Sequence, residues 1–231
     1  LQAGGMREDE HLDLEGWDGG FVSWSTAGVY NDEWAWGRLA DGPARAHSGN
    51  NAWASVLDGD YHPASGEDDR FLFRGFNLPC SPLVFLDFWE YHQLGPDALL
   101  FLSVNDPLNG QYPPPADGDS AYDGELNGRP GYRGDSGGWR RVRFDLGQWA
   151  CNWVPVIWNL YLDDAAGTAF GWAIDDVSVE YFAQRAQGSF VAGPPWDGVV
   201  WGGGSGVALR VVDHGTPAPA LLGHHYGEPL R

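Results

Sequence analysis

Two adjacent carboxylates, Asp175 and Asp176, sit inside the apolar run Phe170-Gly171-Trp172-Ala173-Ile174-Asp175-Asp176-Val177-Ser178-Val179. As a strand, this run puts Asp175 on the face of Ala173, Val177 and Val179, and Asp176 on the face of Trp172 and Ile174. Neither face reads as wet. A carboxylate withdrawn from water without a partner costs several kcal/mol, so this point of the chain demands hydrogen-bond donors, an arginine or a cation.

A second chemical motif is Gly134-Asp135-Ser136-Gly137-Gly138, which has the wording of a serine-hydrolase nucleophile loop. Catalysis would need a histidine base and a carboxylate to orient it, and His47 is the upstream candidate. The setting argues against it. Trp139 follows the glycines, and no strand–turn–helix surrounds Ser136 to make a nucleophile elbow. A glycine turn feeding the next strand is the simpler reading, and no enzyme activity is expected. His224-His225 has no third ligand in view, and there is no H-E-x-x-H. Gly202-Gly203-Gly204 lacks the lysine and the following helix of a phosphate loop.

Tryptophan is the third signal, with 13 in 231 residues. Indole faces serve as platforms for sugar rings and for protein interfaces. Trp17, Trp34, Trp36, Trp196 and Trp201 lie in polar or glycine-rich settings and are the candidates for exposed binding groups, with burial under a neighbouring loop as the competing reading. Trp53, Trp89, Trp158 and Trp172 lie within apolar runs and are expected in the core.

The elements that would position these groups are strands. Gly (34) and Pro (16) are abundant and no long amphipathic helical pattern is present, which predicts an all-β chain of short strands and turns. Leu83–Trp89 is apolar on both faces, as a central strand would be. Val142, Phe144 and Leu146 alternate with Arg141, Arg143 and Asp145, which makes that strand half-exposed. Pro155 cannot donate to a ladder, so it belongs at an edge or at the start of the Val154–Leu162 strand. Residues 105–138, rich in Asn-Gly, Asp-Gly and Pro-Pro steps, read as a long loop suited to specificity. Residues 1–11 read as a flexible segment, 12–182 as the folded module, and 183–231 as a Gly/Pro-rich extension. Short strands are expected in that extension near 199–201 and 207–212.

Thirteen basic residues, all arginine, against 32 acidic ones give a net charge of −19. Such a surface repels nucleic-acid backbones and anionic lipid and suits cations. No apolar run approaches the ~18 residues of a membrane-spanning helix. The first residue is Leu1, which fits a processed, exported chain. Cys80 and Cys151 are the only cysteines, and they read as one disulfide after export or as two inert thiols in a reducing compartment.

The order Leu14-Glu15-Gly16, Trp34-Ala35-Trp36-Gly37, Gly42-Pro43, Ala46-His47-Ser48-Gly49, Ala52-Trp53-Ala54 and Leu57-Asp58-Gly59-Asp60-Tyr61 resembles the jelly-roll module of secreted bacterial proteins. That module is similar to immune inhibitor A and MAM-type domains. The resemblance continues through Phe88-Trp89-Glu90-Tyr91, Gly137-Gly138-Trp139, Phe144-Asp145-Leu146 and Gly171–Val177, covering roughly residues 12–182. It implies a jelly-roll β-sandwich of two antiparallel sheets in which a structural Ca2+ ties the first strand to the last. Carried over, the ligands are Glu15 with Asp175 or Asp176, and Asp58 and Asp60 are further candidates, with a plain turn at Asp58-Gly59 as the alternative. The function expected is a non-catalytic, calcium-stabilised extracellular module for protein assembly or adhesion, using the 183–231 extension to reach a partner or a second copy. The alternative is carbohydrate binding through loop tryptophans and the 105–138 segment.

Overall fold

The computed structural model describes residues 5–26, 34–43, 45–63, 66–107, 110–163, 167–183, 210–211 and 220–221. The chain divides into two compact units, Met6–Phe182 and a second made of Leu1–Gly5 with Ala183–Arg231. The first is a jelly-roll β-sandwich. In chain order its strands are β1 (Gly5–Leu12), β2 (Val22–Ser25), β3 (Ala35–Arg38), β4 (Asn51–Ala54), β5 (Asp68–Asn77), β6 (Val84–Gln93), β7 (Ala98–Val104), β8 (Gly124–Leu126), β9 (Arg129–Gly131), β10 (Arg140–Asp145), β11 (Trp153–Leu162) and β12 (Gly171–Ala183). One sheet runs β10-β6-β12-β4-β3, with β1 also pairing to β12, and the other runs β2-β5-β11-β7. Neighbours along both orders are antiparallel.

Alternation decides which side of each strand is inside. Val84, Leu86 and Phe88 of β6 meet Val154, Val156, Trp158 and Leu160 of β11 in one core with Val142 and Phe144 of β10. Trp158, fully buried, is gripped edge-on by Phe21 and Phe88, with ring centroids 5.4 and 5.6 Å away. Each large side chain buried here contributes about 1.5–3 kcal/mol relative to exposure. β6 lies between β10 and β12, but only Val84, Leu86 and Phe88 face the core, while Asp87 and Trp89 face the outer side of the sheet. Pro155 falls near the start of β11, opposite Gly75.

Three expectations need correcting. Residues 5–11, read as lying outside the module, belong with Leu12 to β1; its pairing with β12 gives this polar segment a ladder that composition does not reveal. The 105–138 segment is no plain loop. It contains the β8–β9 hairpin, turned at Asn127 (φ 53°) and Gly128 (φ 78°), the two positive dihedrals that an Asn-Gly turn supplies. Tyr132 from the same segment is fully buried and its hydroxyl donates to the Ser120 carbonyl at 2.6 Å. The third concerns the faces of β12. Its pairing with β6 is interrupted between Asp175 and Ser178, where Asp176 adopts φ 47°. The extra residue shifts the alternation, so Val177 and Val179 join Trp172 and Ile174 in the core while Asp175 stays with Ala173 on the outer face.

Cys80 and Cys151 are joined, bridging the β5–β6 connection to the turn that precedes β11, 71 residues apart in sequence. In the second unit, Arg210–Val211 (β13) pairs with Ala220–Leu221 (β14). The strand expected at 199–201 lies outside the described residues.

Candidate functional site

The irregularity in β12 gathers a histidine and two carboxylates among the described residues. Asp is among the few residues that tolerate a left-handed backbone, and at position 176 that conformation presents both carboxylates to the 47–51 loop. Asp175 is fully buried. It accepts the Ser48 N–H at 3.0 Å and the Asp176 N–H at 2.8 Å. Burial, more than the Asp176 charge beside it, pushes its pKa up to about 7 against the pull of the Ser48 N–H. Asp176 accepts the Ser48 hydroxyl at 2.8 Å and meets Nδ1 of His47 at 2.7 Å. His47, Asp175 and Asp176 offer three ligand atoms within 4.8 Å of one another.

Glu15 approaches the same loop from the other side. Its Oε1 accepts the N–H groups of Asn50 (2.8 Å) and Asn51 (3.0 Å), and Asn51 Nδ2 donates to its carbonyl at 3.2 Å. Gly49 has φ 55°, and a Cβ there would overlap the Glu15 carboxyl, so the loop closes on this glutamate only with glycine. Asp58 and Asp60 are exposed in their turn and do not join the three-residue cluster. Glu15 is likewise not a member of that cluster, which consists of one histidine and two carboxylates.

Next to this cluster, on the outer face of the larger sheet, lies a cavity of about 380 Å3. Its lining comes from four strands: Glu8 and His11 of β1, Asp87 and Trp89 of β6, Arg141 of β10, and Asp176 and Glu180 of β12. Trp89 is half-buried and stacks on His47, with centroids 3.7 Å apart and planes 10° from parallel. Trp139 meets the edge of His47 at 6.1 Å and donates its indole N–H to the Arg45 carbonyl at 3.1 Å. A smaller cavity of about 170 Å3 adjoins Asp87 and Arg141 and adds Arg143 with Asp117 and Asp119 of the 105–138 segment.

The structure sorts the tryptophans differently at three positions, Trp34, Trp36 and Trp89. Trp34, a candidate binding group with burial as the competing reading, takes the second course: it is 4% accessible and donates to the Arg70 carbonyl at 3.3 Å. Trp36 is half-buried against the core, with its N–H on the Leu14 carbonyl at 2.8 Å. Both indoles complete main-chain hydrogen bonds that their polar neighbours in sequence suggested would go to solvent. Trp17 is exposed, as expected, whereas Trp196 and Trp201 lie outside the described residues. Trp53, Trp158 and Trp172 are core residues, but Trp89 is on the outer face. Its sequence position carried the signal: it shares a face of β6 with Asp87, two residues away. His47, considered from sequence only as a catalytic base, stands instead beside Asp176, and the β1 pair Glu8 and His11 was missed because pairing across the sheet brings it to the site and no local motif does.

Ser136 belongs to another arrangement. Its hydroxyl donates to the His92 carbonyl at 3.2 Å and accepts the His92 N–H at 3.0 Å, which ties the glycine turn to the end of β6. His47 is engaged by Asp176 instead.

No family model matches the chain. Bacillopeptidase F of Bacillus subtilis (strain 168) is 27% identical over 172 residues, covering 71% of this chain and 10% of that protein. Among solved structures, TmCBM61 in complex with β-1,4-galactotriose is similar over 72% of this chain and 89% of its own, at 13% identity and a TM-score of 0.41. The K1 cleaved adhesin domain of Lys-gingipain from Porphyromonas gingivalis W83 covers 74% of this chain and 97% of its own, at 19% identity and 0.42. The family 11 carbohydrate-binding module of Lic26A-Cel5E from Clostridium thermocellum covers 80% and 98%, at 10% identity and 0.41. Likenesses this distant bear on none of the site's chemistry. The chain is a jelly-roll sandwich that resembles, over most of its length, a segment making up about a tenth of a bacterial peptidase.

Proposed function

We propose that the chain is a non-catalytic, calcium-stabilised glycan-binding module of an exported protein. The observation that carries this reading is the roughly 380 Å3 cavity on a rigid sheet face, where a half-buried indole is surrounded by charged and hydroxyl groups from four strands. Sugars offer C–H faces for an aromatic ring and hydroxyls for carboxylates and guanidinium, and Trp89, Arg141, Ser178 and the acidic groups present that combination. The commitment of Ser136 to the His92 main chain and of His47 to Asp176 supports a binding rather than a hydrolytic role. The disulfide supports an oxidising, extracellular location. Retention on polysaccharides in affinity electrophoresis, with loss of retardation in Trp89→Ala, is the test; equal migration of both proteins on every glycan tried would sink the reading.

Calcium belongs to the same proposal. Asp175, with Asp176 and His47 beside it, would hold the ion, which would supply the positive charge that the buried Asp175 lacks, and Glu15, bound to the same 47–51 loop, is the further ligand that the resemblance offers. Finer kinship with immune inhibitor A and MAM-type modules is supported by the spacing of the residue blocks over 12–182. Assembly or adhesion, the leading expectation from sequence, ranks second here. One observation favours it: Val22 and Trp24 of β2 and Trp153 of β11 are exposed on the smaller sheet. Sedimentation that is independent of protein concentration would dispose of self-assembly.

A further inference from the structure

We propose that the saccharide taken by the Trp89 cavity is cationic, an oligosaccharide of amino sugars bearing free ammonium groups. The inference rests on the glycan-binding reading and adds the charge of the ligand. Four carboxylates line the cavity, from Glu8, Asp87, Asp176 and Glu180, against one lining guanidinium, from Arg141. Their pairings divide them into two classes. Asp87 and Glu180 are shared by two arginines: Arg141 reaches them at 2.7 and 3.3 Å, and Arg143 reaches Asp87 at 2.9 Å and also contacts Glu180. Two carboxylates and two guanidiniums leave that half of the cavity near neutral.

Glu8 and Asp176 make up the other half. Their ion-pair partners among the described residues are histidines, His11 at 3.7 Å and His47 at 2.7 Å, and not arginines. In permanent charges the cavity and the neighbouring Arg143 set four carboxylates against two guanidiniums, and the excess lies on the side of Glu8 and Asp176. His47 already covers one face of Trp89, so a ligand ring meets the opposite face or the edge. A pyranose placed there has Glu8 and Asp176 to receive an ammonium, while Ser178 and Arg141 remain for its hydroxyls. An ammonium beside an indole also gains from the ring's negative face. Uronic or sulfated sugars would meet like charge, and neutral sugars would offer Glu8 and Asp176 hydroxyls but no countercharge.

The test is calorimetric titration of the full chain at about pH 7, above the usual imidazole range and below the usual α-amine range, at low ionic strength. The probes are a glucosamine tetramer, its fully N-acetylated counterpart, a glucose tetramer and tetralysine. The expected result is that the glucosamine tetramer binds about tenfold more tightly than either neutral tetramer and than tetralysine. Glu8→Gln, a change at an exposed side chain, should weaken glucosamine binding about fivefold and weaken binding of the neutral tetramers less. Neutral tetramers binding as tightly would overturn the charge assignment while the glycan-binding reading stands. Tetralysine binding as tightly would overturn it as well, because the sugar ring would then contribute nothing. Failure of every saccharide to bind would remove both.

Discussion

Glu90 and Asp175 are both fully buried carboxylates on neighbouring strands of one sheet, with Ile174 opposite Glu90 and Asp175 opposite Trp89. They are compensated in different ways. Glu90 is paired with the Arg140 guanidinium, accepts the Trp172 indole N–H at 3.0 Å and meets Nδ1 of His92 at 2.9 Å. Asp175 has backbone N–H donors and a second carboxylate beside it, and among the described residues no arginine. The protein has therefore neutralised Glu90 from within and left Asp175 in want of a positive charge. A buried charge with a permanent internal partner reads as architecture, whereas one held only by dipoles next to a like charge reads as a place for a ligand.

The largest effect expected from this contrast is on the Glu90 side. Arg140→Ala would strand a buried carboxylate and should lower stability at neutral pH by about 3–5 kcal/mol, measured by denaturant unfolding. Glu90→Gln, which keeps an acceptor for Trp172 and removes the charge, should cost less. If Arg140→Ala costs under about 1 kcal/mol, Glu90 is not held by its ion pair and the contrast fails.

The next effect is on pH dependence. Folding raises the Asp175 pKa from the ordinary 3.8 to about 7, so between those values the folded chain holds a proton that the unfolded chain has released. Stability without metal should fall as pH rises across that window and be flat above it, by about 1.4 kcal/mol for each unit separating the two pKa values. Asp175→Asn removes this contribution, and the difference between wild-type and variant unfolding curves measures it. Calcium needs the ionised carboxylate, so the stabilisation given by saturating Ca2+ should grow as pH rises toward 7. At a hundredfold excess over Kd it should reach about 2.7 kcal/mol, and it should disappear in Asp175→Asn and Glu15→Gln. A calcium shift that survives both substitutions would place the ion elsewhere.

How far this was legible in the sequence differs between fold and site. The two-residue period of Val142, Phe144 and Leu146 and the doubly apolar Leu83–Trp89 run carried the sandwich, because burial on a pleated strand writes itself into alternation. Asp175 and Asp176 were visible because charge interrupts an apolar run. The irregularity that turns Asp176 outward was not, since a one-residue insertion in a ladder leaves no mark in composition. Nor could sequence sort the tryptophans. Trp34 and Trp36 are internalised by carbonyls of Arg70 and Leu14, more than twenty residues away, and Trp89 is brought out by the face it shares with Asp87.

The smallest expected effect sharpens the contrast from below. Asp58 and Asp60 flank a glycine and have the composition of a cation loop, yet both are exposed and water already solvates their charge. Asp58→Asn and Asp60→Asn should each change stability by less than about 0.5 kcal/mol and leave the calcium-induced rise in Tm untouched. Differential scanning fluorimetry with calcium and with chelator reads both quantities at once. Should either substitution reduce the calcium response as Asp175→Asn does, burial would no longer distinguish ligand from bystander, and the ion would have to be sought in the Leu57–Tyr61 turn.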